Sequence, residues 1–179
     1  MISLPIIRPI VDDELPMCAD VLRRAFRTVA EEFGLTEENC PTNAAFITAE
    51  RLERERRRGQ RQFGVYVDNR QTGFFALWSQ DGGVWELEKV GVVPEFRHSG
   101  IGKAIVKRAA QEAATAGGKT LHIGIIEESS VIKNWYTRQG FVHLGTKVFD
   151  HLPFTVGYME LPFTTPGNPN PGETPLGEE

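Results

Sequence analysis

The stretch Val90-Gly91-Val92-Val93-Pro94-Glu95-Phe96-Arg97-His98-Ser99-Gly100-Ile101-Gly102-Lys103 concentrates the groups most able to hold a ligand. It reads as a strand running into a turn, after which glycines open an alanine-rich helix. The first N–H groups of a helix have no partner inside it and lie at the positive end of its dipole. Gly100 and Gly102 place no side chain before that end, and Arg97 and Lys103 add positive charge. Such an end suits a pyrophosphate. The competing reading is a tight strand–helix turn that merely needs glycine. The pattern is not a Walker A loop, which requires four residues between its first glycine and Gly-Lys-Ser/Thr. Nor is it GxGxxG, because Ile105 stands three positions beyond Gly102.

The rest of the chain must position this loop. At 179 residues it is long enough for one domain with a sizeable core. Forty per cent hydrophobic and 25% charged residues exclude collagen-like, coiled-coil and wholly disordered chains. A net charge of −4 excludes a generally basic nucleic-acid binder. Two cysteines, Cys18 and Cys40, make neither a disulfide framework nor a zinc spacing, and four scattered histidines point to no metal site. No run reaches the roughly 20 apolar residues of a membrane span, and a cytoplasmic protein is expected.

Residues 4–10 read as an edge strand, since Pro9 cannot donate to a ladder. Asp12 or Asp13 is expected to cap a helix with Pro16 in its first turn, Leu15, Cys18, Leu22, Ala25, Phe26, Val29 and Phe33 on its apolar face, and Gly34 as its stop. A loop over 35–42 leads to a second helix from Asn43 to Gly59. Its end carries Arg51, Arg54, Arg56, Arg57 and Arg58, with Arg61 just beyond. Either these complement the helix dipole and pair with Glu53 and Glu55, or they bind an anion.

Strands over 62–67, 74–79 and 85–93, joined by turns at 68–73 and 80–83, form an antiparallel meander. A helix opened by Gly100 and closed by Gly117-Gly118 follows, then a strand over 120–126, a helix over 131–139, and strands over 141–149 and 154–161. Residues 162–179 hold five of the eleven prolines and too few apolar groups to offset ordering entropy. The expected organisation is one domain over 1–161 and a disordered tail over 162–179.

Arg-x-x-Gly-x-Gly after a Val-x-Pro strand end resembles the acyl-coenzyme A loop of the GCN5-related N-acetyltransferases, the GNAT superfamily. Tyr136-Thr137-Arg138-Gln139-Gly140-Phe141 is similar to that family's Tyr-x-x-x-Gly-Phe, and the element order matches as well. The resemblance runs from about Ile2 to Leu161. It implies an α/β (α+β) fold with a mixed, mostly antiparallel sheet of six to seven strands, helices on both faces, and a splay at the acyl-CoA site.

It also implies acetyl transfer from acetyl-CoA to an amine. The cofactor would lie on Val90, Val92, Val93, Arg97, His98, Ser99, Gly100, Ile101, Gly102 and Lys103, with an oxyanion donor among the backbone N–H groups near Val92. Ser129 stands where many members carry an asparagine. Tyr136 resembles the general acid for the departing thiolate, against a space-filling role beside Trp135 and Phe141. Glu86 and Glu88, two apart on a strand and so on one face, are the base candidates, Glu86 ahead. Their alternative is a polar face paired with Lys89 or an arginine. His122, Trp78, Trp85 and Phe75 read as core residues.

The acceptor, a small-molecule or peptide amine, carries no legible signature. Neither nucleic acid nor membrane is an expected partner, and a homodimer is a family-level expectation. A non-catalytic acyl-CoA-binding or regulatory module is the second reading, and a nucleotide binder using the Gly100 loop the third.

Overall fold

The computed structural model describes residues 4–163. Seven strands form one sheet: β1 (Ile6–Pro9), β2 (Arg61–Val67), β3 (Arg70–Ser79), β4 (Val84–Val92), β5 (Thr120–Ile126), β6 (Val142–Val148) and β7 (Thr155–Pro162). Their spatial order is β1-β2-β3-β4-β5-β7-β6. Every neighbouring pair is antiparallel except β4 and β5. That parallel pair needs a crossover, supplied by α3 (Ile101–Thr115). The other helices are α1 (Leu15–Glu32), α2 (Ala49–Arg57) and α4 (Ser130–Arg138).

The sheet has a core on each face. Leu15, Cys18, Ala19 and Leu22 of α1 bury against Phe74, Ala76 and Val93, joined by Leu52 of α2. Gly91 permits this approach, because a Cβ there would lie 3.1 Å from that of Ala25. On the opposite face, Ile101, Ile105, Ala109 and Ala113 of α3 bury against Phe75, Leu77, Leu87, Leu121 and Ile123. A third cluster joins Ala30 and Leu35 to Ile126, Leu152 and Phe154.

Several local expectations change. The start of α1 is preceded by a 3-10 turn over Asp12–Glu14, and Glu14, rather than Asp12 or Asp13, takes the N–H of Val11 at 2.9 Å. The second helix divides. Asn43 caps a 3-10 turn by accepting from Ala45 N, and Thr48 caps α2 by accepting from Arg51 N. Between them Ile47 is extended and fully buried, a placement that an unbroken helix through 43–59 does not give. The expected turn at 68–73 shrinks to Asp68 and Asn69, both at positive φ (48° and 61°), so β3 starts at Arg70. Asp and Asn tolerate that conformation, which matches hairpin twist.

Pro162 ends β7, and Phe163 N–H bonds Lys119 O. These first two residues of the expected tail therefore belong to the fold, and the remainder, 164–179, lies outside the described residues. Arg51, Arg56, Arg57 and Arg61 are ion-paired with Glu55, Asp12, Glu53 and Glu112, which supports the dipole-and-pairing reading of the arginine run.

Candidate functional site

The parallel ladder between β4 and β5 is short. It holds Val84↔Thr120, Trp85↔Leu121 and Glu86↔His122, then stops. Beyond it the strands part, and a gap opens between Leu87–Val92 and Ile123–Ile126. Open α/β sheets bind ligands in such crevices, at the carboxyl ends of parallel strands.

A bulge aims the main chain into this gap. Two residues of β4, Lys89 and Val90, oppose Phe75 alone between the pairs Glu88↔Ala76 and Gly91↔Phe74. Lys89 takes φ 53° there. The bulge reverses the alternation along β4. Val93 N–H bonds Thr72 O of β3 at 2.9 Å, so the main-chain groups of Val92 and Val90 face the other way, into the gap. Val92 O already accepts from Arg97 Nε at 3.2 Å. Val93 has no main-chain group left over, because its carbonyl takes Phe96 N–H and its side chain is buried.

At the top of β4 the chain passes through a 3-10 turn (Pro94–Phe96) and then His98 and Gly100, at φ 60° and 85°. Gly100 is the N-cap of α3 and offers no capping side chain. Ala104 N–H is the first in the helix to find a carbonyl, that of Gly100. Among the described residues, no hydrogen bond uses the N–H groups of His98, Ser99, Gly100, Ile101, Gly102 or Lys103. His98, Ser99, Gly100 and Lys103 are exposed, and Ile101 is buried as the anchor of the turn. Consecutive free N–H groups at a helix mouth form an anion cradle.

The two glycines differ in purpose. Gly100 is needed for its positive φ and has open space around it. A Cβ at Gly102 would lie 2.9 Å from Trp135 Cζ2, so this glycine lets the indole of α4 sit on the first turn of α3. Arg97 turns inward: Nη2 donates to Ala25 O (2.7 Å) and Thr28 Oγ1 (3.1 Å). Its visible work is to tie the loop to α1. Ser129 caps α4, accepting from Ile132 N at 3.4 Å, and is buried.

Tyr136 is buried, edge-on to Trp135 (centroids 4.8 Å) and Phe141 (5.2 Å). It belongs to the cluster containing Leu87, Ile123 and Ile125, residues that border the gap. Burial raises its phenol pKa above the ordinary 10.0, so the hydroxyl stays protonated.

Glu86 and Glu88 project to the sheet face opposite Trp85 and Leu87. Glu88 Oε2 accepts from Gln60 Nε2 (3.0 Å), Trp78 Nε1 (3.1 Å) and Lys89 Nζ (3.1 Å). Glu86 accepts from Gln80 Nε2 alone among the described residues, at 3.0 Å. Burial first, then the charge of Glu88, raises the Glu86 pKa above 4.5.

Two residues read as core are not sealed inside. Trp78 is half-buried, with its indole on Glu88. His122 is half-buried, in register with Glu86, and bonds Glu160 at 3.2 Å. Trp85 and Phe75 are core. Nothing in the order of residues marks the row Trp78–Glu86–His122–Glu160, which only the strand registers assemble. The 35–42 loop and the β6–β7 turn enclose a groove of about 510 Å³ between Glu38, Asn39, Pro41, Thr42 and 150–153. Leu152 in its wall shares a cluster with Ile126, at the end of β5.

The acetyltransferase (GNAT) family model matches residues 22–141. The PaiA N-acetyltransferase of Thermoplasma acidophilum, solved with coenzyme A, superposes with TM-score 0.70 at 18% identity, covering 90% of this chain and 100% of that one. The ribosomal-protein-S18-alanine N-acetyltransferase of Escherichia coli gives 0.71 at 15%, covering 92% and 97%. A streptothricin acetyltransferase homologue from Bacillus anthracis, solved with acetyl coenzyme A, gives 0.55 at 20%, covering 58% and 62%. At these identities the structural likeness speaks for the fold. No helix among the described residues is long and apolar enough to cross a membrane.

Proposed function

The chain belongs to the acetyltransferase (GNAT) family, and on that premise we propose that it moves an acetyl group from acetyl-CoA directly to a primary amine. One observation carries the reading: the run of unpaired N–H groups from His98 to Lys103 stands at the top of a gap between two parted strands. The residues fit the cosubstrate. The free amides would take its diphosphate, with the charge of Lys103 beside them. Arg97 would hold the loop in shape from α1. Val90 and Val92 would offer main-chain groups to the pantetheine arm, and Ser129 would border it from α4.

An alkyl ammonium has a pKa of about 10.4, so it must lose a proton before it attacks. Glu86 would accept that proton, directly or through water. Among the described residues it has one neutral donor, and its pKa is raised. Glu88, held by three donors, would shape the face around it. As nitrogen bonds to the carbonyl carbon and the carbon–sulfur bond breaks, a backbone N–H near Val92 would receive the oxyanion. Tyr136 would donate a hydrogen bond to the departing thiolate, and the second proton that the nitrogen sheds on becoming an amide would leave to water. A phenol with a raised pKa is a weaker acid than a thiol of about 8.5, so it steadies the thiolate rather than surrendering its proton.

The groove between the 35–42 loop and the β6–β7 turn is the approach for the acceptor. Incubation with labelled acetyl-CoA and a panel of amines, read by mass spectrometry, tests the proposal. An acetylated amine whose yield falls sharply with Glu86→Gln supports it. Binding of acetyl-CoA with no amine modified would favour a non-catalytic module.

A further inference from the structure

Lys89 is a buried cation that the transfer chemistry leaves without a task. It is the extra residue of the β4 bulge and takes a left-handed φ of 53°, a conformation that glycine adopts more readily. Its side chain is only 9% exposed. The ammonium lies 2.9 Å from Glu55 Oε2 of α2 and 3.1 Å from Glu88 Oε2. The first contact is ionic rather than a well-aligned hydrogen bond, since that oxygen has no hydrogen-bond partner among the described residues. Glu55 is held in turn by Arg51 Nε at 3.0 Å, and Arg51 reaches Thr42 O at 2.8 Å. A chain of charges thus runs from the wall of the acceptor groove, through α2, to the bulge.

We propose that Lys89 is a positioning residue for the transfer step: clamped between Glu55 and Glu88, it pins the bulge that turns Val90 and Val92 into the gap and offsets the charge of Glu88 beside Glu86. The inference rests on the reading of Glu86 as base. Its electrostatics follow from position. Glu86 and Glu88 share a strand face, and the charge of Glu88 raises the cost of ionising Glu86. Of the other groups facing Glu86, Gln80 and Trp78 are neutral. His122 lies opposite on β5, with Glu160 of β7 behind it. Among the described residues, Lys89 is therefore the counter-charge that touches Glu88 directly, and Arg51 acts on Glu55 instead.

The test is a carbon-detected NMR titration of the Glu86 carboxyl in the full chain, with acetyl-CoA affinity measured on the same samples. Lys89→Met is expected to move the Glu86 midpoint upward by about half a pH unit or more and to weaken acetyl-CoA binding. Lys89→Arg should restore both. Lys89→Met with Glu88→Gln should bring the midpoint back down. Should Lys89→Met fail to fold, Lys89→Gln removes the same cation while keeping a polar side chain between the two carboxylates, with the same upward shift expected. An unmoved midpoint in a folded variant lacking the lysine overturns the inference. Because this readout needs no turnover, it is separable from failure of the functional reading, which would show as a wild-type chain that acetylates no amine.

Discussion

Tyr136 and Glu86 are both marked by burial, with opposite consequences. Burial keeps the Tyr136 hydroxyl protonated beyond the ordinary phenol range and makes the Glu86 carboxyl harder to ionise. A donor to the thiolate and an acceptor from the ammonium need those two states. Tyr136→Phe should therefore lower kcat by about 100-fold while leaving acetyl-CoA affinity nearly unchanged, as stopped-flow turnover and calorimetry would show. Loss of affinity with unchanged kcat would mean that the ring only fills space. For Glu86 the sign is fixed by its raised pKa. Activity should rise with pH through a midpoint above 4.5, and Glu86→Gln should abolish that limb of the kcat/KM profile. The place of Tyr136 at the end of a short helix was legible from its motif. The sequence put Glu86 ahead of Glu88, but the hydrogen bonds that distinguish the two were not legible, because Gln60, Trp78 and Lys89 converge on Glu88 from positions that their spacing does not predict.

Among the elements, the meander, the crossover helix and the short helix before Gly140 were readable from hydrophobic period and glycine stops. The β4 bulge was not, because the residue at its left-handed position is a lysine rather than the glycine that advertises such a turn. The break at Ile47 was hidden for a related reason: the burial of one side chain overrides helix propensity across 43–59. Gly102 looked like an opening for ligand, and packing gives it a second purpose. Gly102→Ala would drive a methyl group to 2.9 Å from Trp135 Cζ2, at a cost of about 1–3 kcal/mol. Trp135→Leu in the same chain should recover part of that cost, a non-additivity that a double-mutant cycle by urea unfolding would detect. Gly100→Ala has no such neighbour, so its cost of about 1–2 kcal/mol should not respond to Trp135→Leu.

For the molecule as a whole, the sheet divides two cores, and the division also sorts the proposed roles. The α3–α4 side holds Tyr136 and the anion cradle, and the α1–α2 side presents Glu86 and Glu88. The outer edge of the sheet is tied down by Glu14, which accepts from Arg8 of β1, Val11 N and Tyr66 of β2. The Arg8 hydrogen bond is the main reason that the Glu14 pKa falls to about 2. A carboxyl depressed in the folded state contributes its stability above the unfolded value and loses it as pH falls. Stability should accordingly decline between pH 4.5 and about 2. Glu14→Gln should cost about 1–2 kcal/mol at neutral pH, allowing for solvent around Arg8, and flatten that decline in urea melts across the window.

The proposed function depends on the helix mouth at Gly100 holding a diphosphate. Calorimetric titration with coenzyme A and, in parallel, with pantetheine, which shares the thiol arm but lacks the diphosphate, addresses that dependence directly. Coenzyme A should bind at least about 100-fold more tightly, equivalent to about 2.7 kcal/mol. Equal affinities, or no heat from coenzyme A at millimolar concentration, would contradict it.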